Sequence, residues 1–249
     1  MTRDFDKFAA RAAPAIFVLL WSTGFIGTKY VVDNADPLTY LAIRMALVVV
    51  LMAVICAVVR PVWPNRTEIG HSIVAGILVH GIYLGGTAVA ISLSIPAGLS
   101  ALIPGLQPIL TSTIANRWLG ERVTAMQWGG LLTGLAGVAL ILHDRPMGGQ
   151  AGWGWVASAI SLVSITLGTL YQRRYCSRID WRSGNLVQYV AVTVFFAIGA
   201  FLFEQRVVHW TTEFILALVW LAVVLSIGSI GLVYWLVRHQ AATSVASLF

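Results

Sequence analysis

The chain has 249 residues, of which 58% are hydrophobic and only 10% are charged. Soluble domains carry about 25% charged residues, so this composition excludes an ordinary soluble protein. The formal net charge of +6 does not indicate a nucleic-acid partner, because the basic residues gather between apolar runs. Crossing the hydrocarbon core of a bilayer takes roughly 20 apolar residues in a helix. Eight such runs are present: 14–33, 38–59, 69–93, 96–116, 126–143, 153–173, 185–204 and 213–238. A ninth run begins near Ala241. The chain is predicted to be an all-α polytopic membrane protein embedded in a lipid bilayer.

The distribution of Lys and Arg predicts the orientation of these runs. With a cytoplasmic N-terminus, 12 of the 16 basic residues fall on cytoplasmic segments and 3 on outer ends, while Arg44 lies within the second run. Cytoplasmic loops of membrane proteins carry the excess of Lys and Arg. We therefore predict a multi-pass protein of the inner (plasma) membrane with its N-terminus in the cytoplasm.

The first two runs contain one deep tryptophan and two cations. Trp21 is too deep for the interfacial aromatic belt, so it is a candidate for substrate binding or for core packing. Lys29 and Arg44 lie on the outer side, where charge is expensive and is usually paired or functional. Asp33 and Asp36 are close enough in sequence to form ion pairs at the outer rim. The alternative is that one of the two cations attracts a substrate carboxylate.

The third run places His80 and Tyr83 near its middle, with Thr87 on the same helical face. His80 and Tyr83 are candidate substrate-binding residues. The competing interpretation is a network of hydrogen bonds between helices.

The fourth run, "IPAGLSALIPGLQPIL" (95–110), contains Pro104 and Pro108 in its interior. Proline has no backbone N–H, so we expect a kink that frees the carbonyls of Ser100 and Pro104. Free carbonyls at membrane depth are tolerated where they are buried in protein or line a cavity. A bent helix that presents Ser100 and Gln107 to a solute is one interpretation, and a packing kink is the other.

The later runs add two weaker candidates for substrate binding. Ser164 shares one helical side with Ser158, Ser161 and Gly168, a pattern that also suits simple small-residue packing. Tyr234 lies near the end of the eighth run and is a candidate for the cavity wall.

Comparison of the chain with itself suggests an internal repeat. A shift of 145 residues aligns the second run with the seventh and the third with the eighth. Each unit would have five spans, so the second copy would be inverted, as in many secondary transporters. We therefore expect a first repeat over 1–145 and an incomplete second repeat over 146–249. A complete second unit would end near residue 287, about 38 residues beyond Phe249, giving ten spans rather than about eight and a half.

Four segments resemble a known family: "WSTGFIGTKY" (21–30), "DPLTYLAIR" (36–44), "AGLSALIPGLQPIL" (97–110) and "LGE" (119–121). They resemble the EamA-like ten-helix exporters of the drug/metabolite transporter superfamily, most closely the YddG-like aromatic amino-acid exporters. The resemblance implies an exporter with a central cavity between the two repeats, working by alternating access on a small-molecule solute. An amino acid, aromatic or otherwise neutral, is the expected cargo. The alternative cargo is a non-aromatic metabolite or a cationic drug.

Other function classes find less support in the sequence. The segment "GLSA" (98–101) resembles the serine motif of intramembrane serine proteases, but a nucleophilic serine needs a nearby base, and the later histidines sit at the ends of runs. A channel or a scaffold remains an alternative to a carrier. We expect no enzyme activity, no cofactor, no metal and no nucleic-acid partner. All ten acidic residues lie in loops, tails or end turns, which predicts facilitated transport without an obligatory ion.

Overall fold

The computed structural model describes residues 18–107 and 149–229, together with positions 110–111, 114, 128–130, 132–133, 136–137 and 140. The regular elements in this part of the chain are helices. We name them α1 (Val18–Val32), α2 (Pro37–Val59), α3 (Arg66–Ser92), α4 (Ala97–Leu102 and a 3₁₀ turn, Pro104–Leu106), α5 (Gly149–Tyr175), α6 (Trp181–Phe203) and α7 (Thr212–Val219 and a π-helical segment, Trp220–Ser229).

Four of these helices are long and apolar enough to cross a membrane: Pro37–Val59, Arg66–Ser92, Gly152–Tyr175 and Trp181–Phe203. They match the predicted runs 38–59, 69–93, 153–173 and 185–204 to within a few residues. The predicted all-α polytopic membrane fold is confirmed.

Local sequence explains where the long helices begin. Pro37 occupies the first turn of α2, where its missing N–H costs nothing. Asn65 and Glu68 form a capping box at the start of α3, each side chain accepting the other residue's backbone N–H at 3.0 and 2.8 Å. Asp180 caps α6 by accepting the N–H of Arg182 at 3.0 Å.

Two helices contain π-helical segments. In α3 the segment is Ile77–Ile82, after which the N–H of Tyr83 donates to the carbonyl of Leu78. In α7 the segment is Trp220–Ser229, where the Ser226 hydroxyl donates to the Leu221 carbonyl at 3.1 Å. Such segments are rare and often mark functional sites.

The densest packing joins α2 to α6, which run antiparallel. Met45, Val48 and Met52 on α2 and Val192 and Phe196 on α6 are all fully or almost fully buried. Lipid tails are as apolar as these side chains, so close van der Waals packing rather than the hydrophobic effect stabilises the pair.

Helices α3 and α5 are joined by serine hydroxyls. Ser161 donates to the carbonyl of Tyr83 and Ser164 to that of Leu78, both at 2.8 Å. Ser161 also hydrogen-bonds Thr87 at 2.9 Å. Gly168 lies so close to α3 that a Cβ there would fall 2.7 Å from the side chain of Val79. The serine face of α5 therefore contacts α3 through small-residue packing.

At one end of the bundle, the α1–α2 loop (33–36) pairs with the segment 204–211 between α6 and α7. We call this pairing the clasp. Ala35 and Val208 form an isolated antiparallel bridge, and the N–H of His209 donates to the Asn34 carbonyl at 2.8 Å. The clasp thus ties the first two helices to the last two.

Glu204 completes the clasp at the N-terminus of α2. Its carboxylate accepts the backbone N–H groups of Leu38 and Thr39, each at 2.7 Å, and the Thr39 hydroxyl at 2.8 Å. A carboxylate at a helix N-terminus satisfies otherwise unpaired N–H groups and interacts favourably with the helix dipole.

Candidate functional site

Arg44 lies inside the bundle, on the second turn of α2, with only 5% of its surface exposed. Its Nη2 donates a hydrogen bond to the Ser226 hydroxyl at 3.1 Å. Its Nε is buried and has no partner in the described part of the chain. A guanidinium offers five N–H donors, so this site retains capacity to bind an acceptor.

Aromatic residues from three helices surround the guanidinium. Tyr40 from α2, Tyr83 from α3 and Tyr189 from α6 lie close to it, and so does His80 of α3. Tyr40 also shares a side-chain hydrogen bond with the guanidinium. The His80 and Tyr189 rings lie 4.9 Å apart between centroids.

Tyr189 also connects to α7, since its hydroxyl donates to the Ser226 carbonyl at 2.9 Å. We call Arg44, Tyr40, His80, Tyr83, Tyr189 and Ser226 the Arg44 cluster. The cluster joins α2, α3, α6 and α7, and it includes residues of both π-helical segments.

Acidic side chains of the described residues lie elsewhere. Asp33 pairs with Lys29, Asp36 accepts the N–H of Val207 at 3.0 Å, and Glu204 binds the start of α2. Glu68, Asp180 and Glu213 lie at the first turns or caps of their helices. A buried cation costs several kcal/mol unless an anion compensates it, and within the described ranges no carboxylate is among the groups that act on Arg44.

The two cations predicted for the outer rim therefore differ. Lys29 on α1 forms an exposed ion pair with Asp33, just beyond the end of that helix, as the rim interpretation expected. Arg44 does not pair with Asp33 or Asp36 and lies among aromatic side chains instead. The alternative interpretation, attraction of a substrate carboxylate, applies to Arg44 alone.

The proline-rich helix α4 holds Ser100 and Gln107 in buried positions, 3% and 7% exposed. The Gln107 side-chain amide donates to Thr169 on α5 at 3.0 Å, a helix-to-helix contact. The Ser100 hydroxyl has no partner among the described residues. The expectation of a free carbonyl at Pro104 is wrong, because the chain tightens into a 3₁₀ turn and the N–H of Gln107 donates to that carbonyl.

Two of the other predicted site residues, Trp21 and Ser164, fall outside the Arg44 cluster. Trp21 is partly buried on α1, and Ser164 hydrogen-bonds the backbone of α3. Pro108 and Tyr234 lie outside the described residues. Of the predicted set, the structure brings His80, Tyr83 and Arg44 together.

The cluster also contains three residues that the sequence analysis missed: Tyr40, Tyr189 and Ser226. One signal could have identified Tyr189, since the shift of 145 residues aligns it with Arg44. Ser226 gave no comparable signal, because a lone serine in an apolar run is commonplace.

The described residues contain no group of three His, Cys, Asp or Glu side chains that could hold a metal ion. The donors of the cluster are instead a guanidinium, an imidazole and hydroxyl groups. Such groups bind an organic or inorganic anion better than a cation.

Residues 13–143 match the model of the EamA-like transporter family. The chain belongs to this family. The uncharacterized transporter YvbV of Bacillus subtilis is 30% identical, with 94% of this chain and 76% of YvbV covered. The uncharacterized inner membrane transporter YedA of Escherichia coli K12 is 24% identical, with 93% of this chain and 77% of YedA covered. This EamA-family chain is therefore a multi-pass membrane transporter.

A solved crystal structure supports the same fold for this EamA-family transporter. It is 24% identical to this chain, with a TM-score of 0.63, and the match covers 86% of this chain and 74% of the other. At this identity the likeness concerns the fold alone.

Proposed function

We propose that this EamA-family transporter exports amino acids, aromatic or otherwise neutral, across the inner (plasma) membrane. The observation that carries the proposal is the Arg44 cluster, which combines hydrogen-bond donors with flat aromatic walls. His80 lies near the middle of α3, where a solute site of a carrier is expected. A cationic drug fits less well, because it brings no carboxylate to compensate the buried guanidinium.

The proposed mechanism is alternating access between two inverted halves, 1–145 and 146–249. The π-helical segments support it, since a shift of 145 residues moves 77–82 onto 222–227, inside the segment Trp220–Ser229. The same shift moves Arg44 onto Tyr189, and these two residues lie close together. Equivalent residues approach each other when they lie near the axis that relates two repeats.

We propose that transport is facilitated, driven by the gradient of the solute itself without a coupled ion. Ion-coupled carriers commonly place a carboxylate at depth in the membrane. The six acidic residues within the described ranges lie instead in loops, caps or first turns. Within the described ranges, His80 is the deep group that an ion-coupled mechanism would have to use.

The proposed orientation has the N-terminus in the cytoplasm and the clasp on the outer side. The 12 to 3 distribution of basic residues supports it. The description of YedA as an inner membrane protein supports the proposed location.

Counterflow in proteoliposomes tests the proposal. Vesicles containing the purified chain are loaded with one unlabelled amino acid at a time and diluted into a trace of the same labelled compound. We expect transient accumulation for a subset of neutral amino acids, unchanged when a pH or sodium gradient is added. If no amino acid in the panel shows counterflow, the proposal that amino acids are the cargo is refuted. If accumulation requires an ion gradient, the proposal of facilitated transport is refuted.

Two tyrosine variants make the test specific to the site. Tyr83→Ala removes a buried member of the Arg44 cluster, and Tyr30→Ala removes a tyrosine that is 51% exposed. We expect Tyr83→Ala to reduce the initial rate at least about tenfold, the effect of losing roughly 1.4 kcal/mol of solute interaction. Tyr30→Ala should transport like the wild-type chain. Equal rates in both variants would place the solute elsewhere.

A further inference from the structure

We propose that Arg44 is the receptor for a single carboxylate on the transported solute. This inference rests on the proposed function and specifies the chemical group that the site selects. Arg44 is the one charged side chain that is buried among the described residues. Among the described residues no carboxylate acts on this cation, so the carboxylate of a bound solute supplies the missing counter-charge.

The arrangement of donors favours a carboxylate over a neutral acceptor. Nη2 is engaged by a neutral hydroxyl, that of Ser226, and the buried Nε has no partner in the described ranges. Guanidinium groups bind carboxylates through two parallel hydrogen bonds. An amide or an alcohol would leave the positive charge uncompensated in a low-dielectric site.

Arg44 is held in place independently of any solute. Ser226 accepts from the guanidinium through its hydroxyl, and the Ser226 carbonyl accepts from Tyr189 at 2.9 Å. The Ser226 hydroxyl in turn donates to the Leu221 carbonyl. A receptor that is positioned in advance loses less conformational freedom when the solute binds.

A matched set of four compounds tests the inference on the wild-type chain. Labelled phenylalanine is the probe, and the competitors are phenylalanine, phenylalaninamide, phenethylamine and 3-phenylpropionate. We expect the two compounds without a carboxylate to inhibit about 10- to 100-fold more weakly, the loss of one charge-assisted hydrogen-bonded contact. The corresponding set built on leucine covers an aliphatic cargo. Chloride and inorganic phosphate complete the panel as anions without a carbon skeleton.

Three substitutions test whether Arg44 causes the preference for compounds with a carboxylate. Arg44→Gln should abolish the preference for the acid over the amide, and Arg44→Lys should retain part of it, because lysine keeps the charge and loses the planar fork. Arg66→Gln, at an exposed position on the first turn of α3, should leave the preference unchanged. If Arg44→Gln does not fold, the wild-type competition series decides the question alone.

The two proposals fail in different ways. If the wild-type chain moves no amino acid, the proposed function is refuted. If it moves phenylalanine or leucine but the matched amide competes within about threefold of the acid, the carboxylate receptor is refuted and the transport function stands. Competition by chloride or phosphate equal to that of the organic acids would also overturn the inference, since it would reveal a general anion site.

Discussion

Glu204→Gln should destabilise the protein by unpairing the N-terminus of α2. The wild-type carboxylate accepts three hydrogen bonds at 2.7 to 2.8 Å from Leu38 and Thr39. The glutamine amide keeps one acceptor oxygen, turns an NH₂ group toward the other donors and removes the negative charge from the helix terminus. Hydrogen bonds to a charged group contribute about 1.5–3 kcal/mol each, and the helix dipole adds about 0.3–1 kcal/mol. We expect a loss of about 2–4 kcal/mol in the free energy of unfolding.

Unfolding of the purified protein by sodium dodecyl sulfate in mixed micelles, followed by tryptophan fluorescence and circular dichroism, measures this loss. Glu213→Gln is the matched control, because Glu213 is exposed on the first turn of α7. Surface substitutions of this kind usually change stability by less than about 0.5 kcal/mol. A double-mutant cycle with Thr39→Val isolates the contribution of the hydroxyl. If Glu204→Gln and Glu213→Gln unfold at the same detergent fraction, the stabilising role assigned to Glu204 is incorrect.

Two further predictions concern α3 and the α5–α6 connection. Gly76→Ala should destabilise the bundle by about 1–3 kcal/mol, because the added Cβ would lie 2.9 Å from the Cα of Gln188. Gly70→Ala is the matched control, since a Cβ there would meet nothing within 4 Å, and it should stabilise the helix slightly. Equal unfolding midpoints for the two variants in the same detergent assay would contradict both predictions. Burial raises the pKa of the Cys176 thiol, so its thiolate forms only at higher pH. Maleimide should therefore label Cys176 more slowly at pH 7 than it labels the exposed cysteine of the double variant Cys176→Ser, Ser177→Cys. The difference between the two labelling rates should narrow toward pH 9. Equal labelling rates at pH 7 would contradict the raised pKa of Cys176.

The long helices were predictable because the thickness of the bilayer sets the length that a spanning helix needs. The run 38–59 became Pro37–Val59 and the run 185–204 became Trp181–Phe203, since hydrophobic length alone determines what can span the membrane. Local chemistry also predicted the break in α4 at Pro104.

The site was only partly predictable, because hydropathy locates a residue along a helix and not around it. Arg44 lies near the start of α2, and proximity in sequence made Asp33 and Asp36 its expected partners. Its actual neighbours, Tyr189 and Ser226, come from helices more than 140 residues later in the chain. The π-helical winding of the segments that contain His80 and Ser226 has no recognisable local pattern, so the sequence indicated His80 but not this winding and not Ser226.

The π-helical segment of α3 determines where this fold can tolerate the deletion of a single residue. A short π-helical segment can be regarded as an α-helix with one residue inserted, accommodated by i→i+5 bonds. Removing one residue from Ile77–Ile82 would let the segment close as ordinary α-helix and keep Thr87 on the face that meets Ser161. A deletion in the regular helix α2 would instead turn everything beyond it by about 100°, moving Met45 and Met52 out of the core. Natural relatives are therefore expected to differ by single-residue gaps at 77–82 and 220–229, and to keep a constant length through α2 and α6.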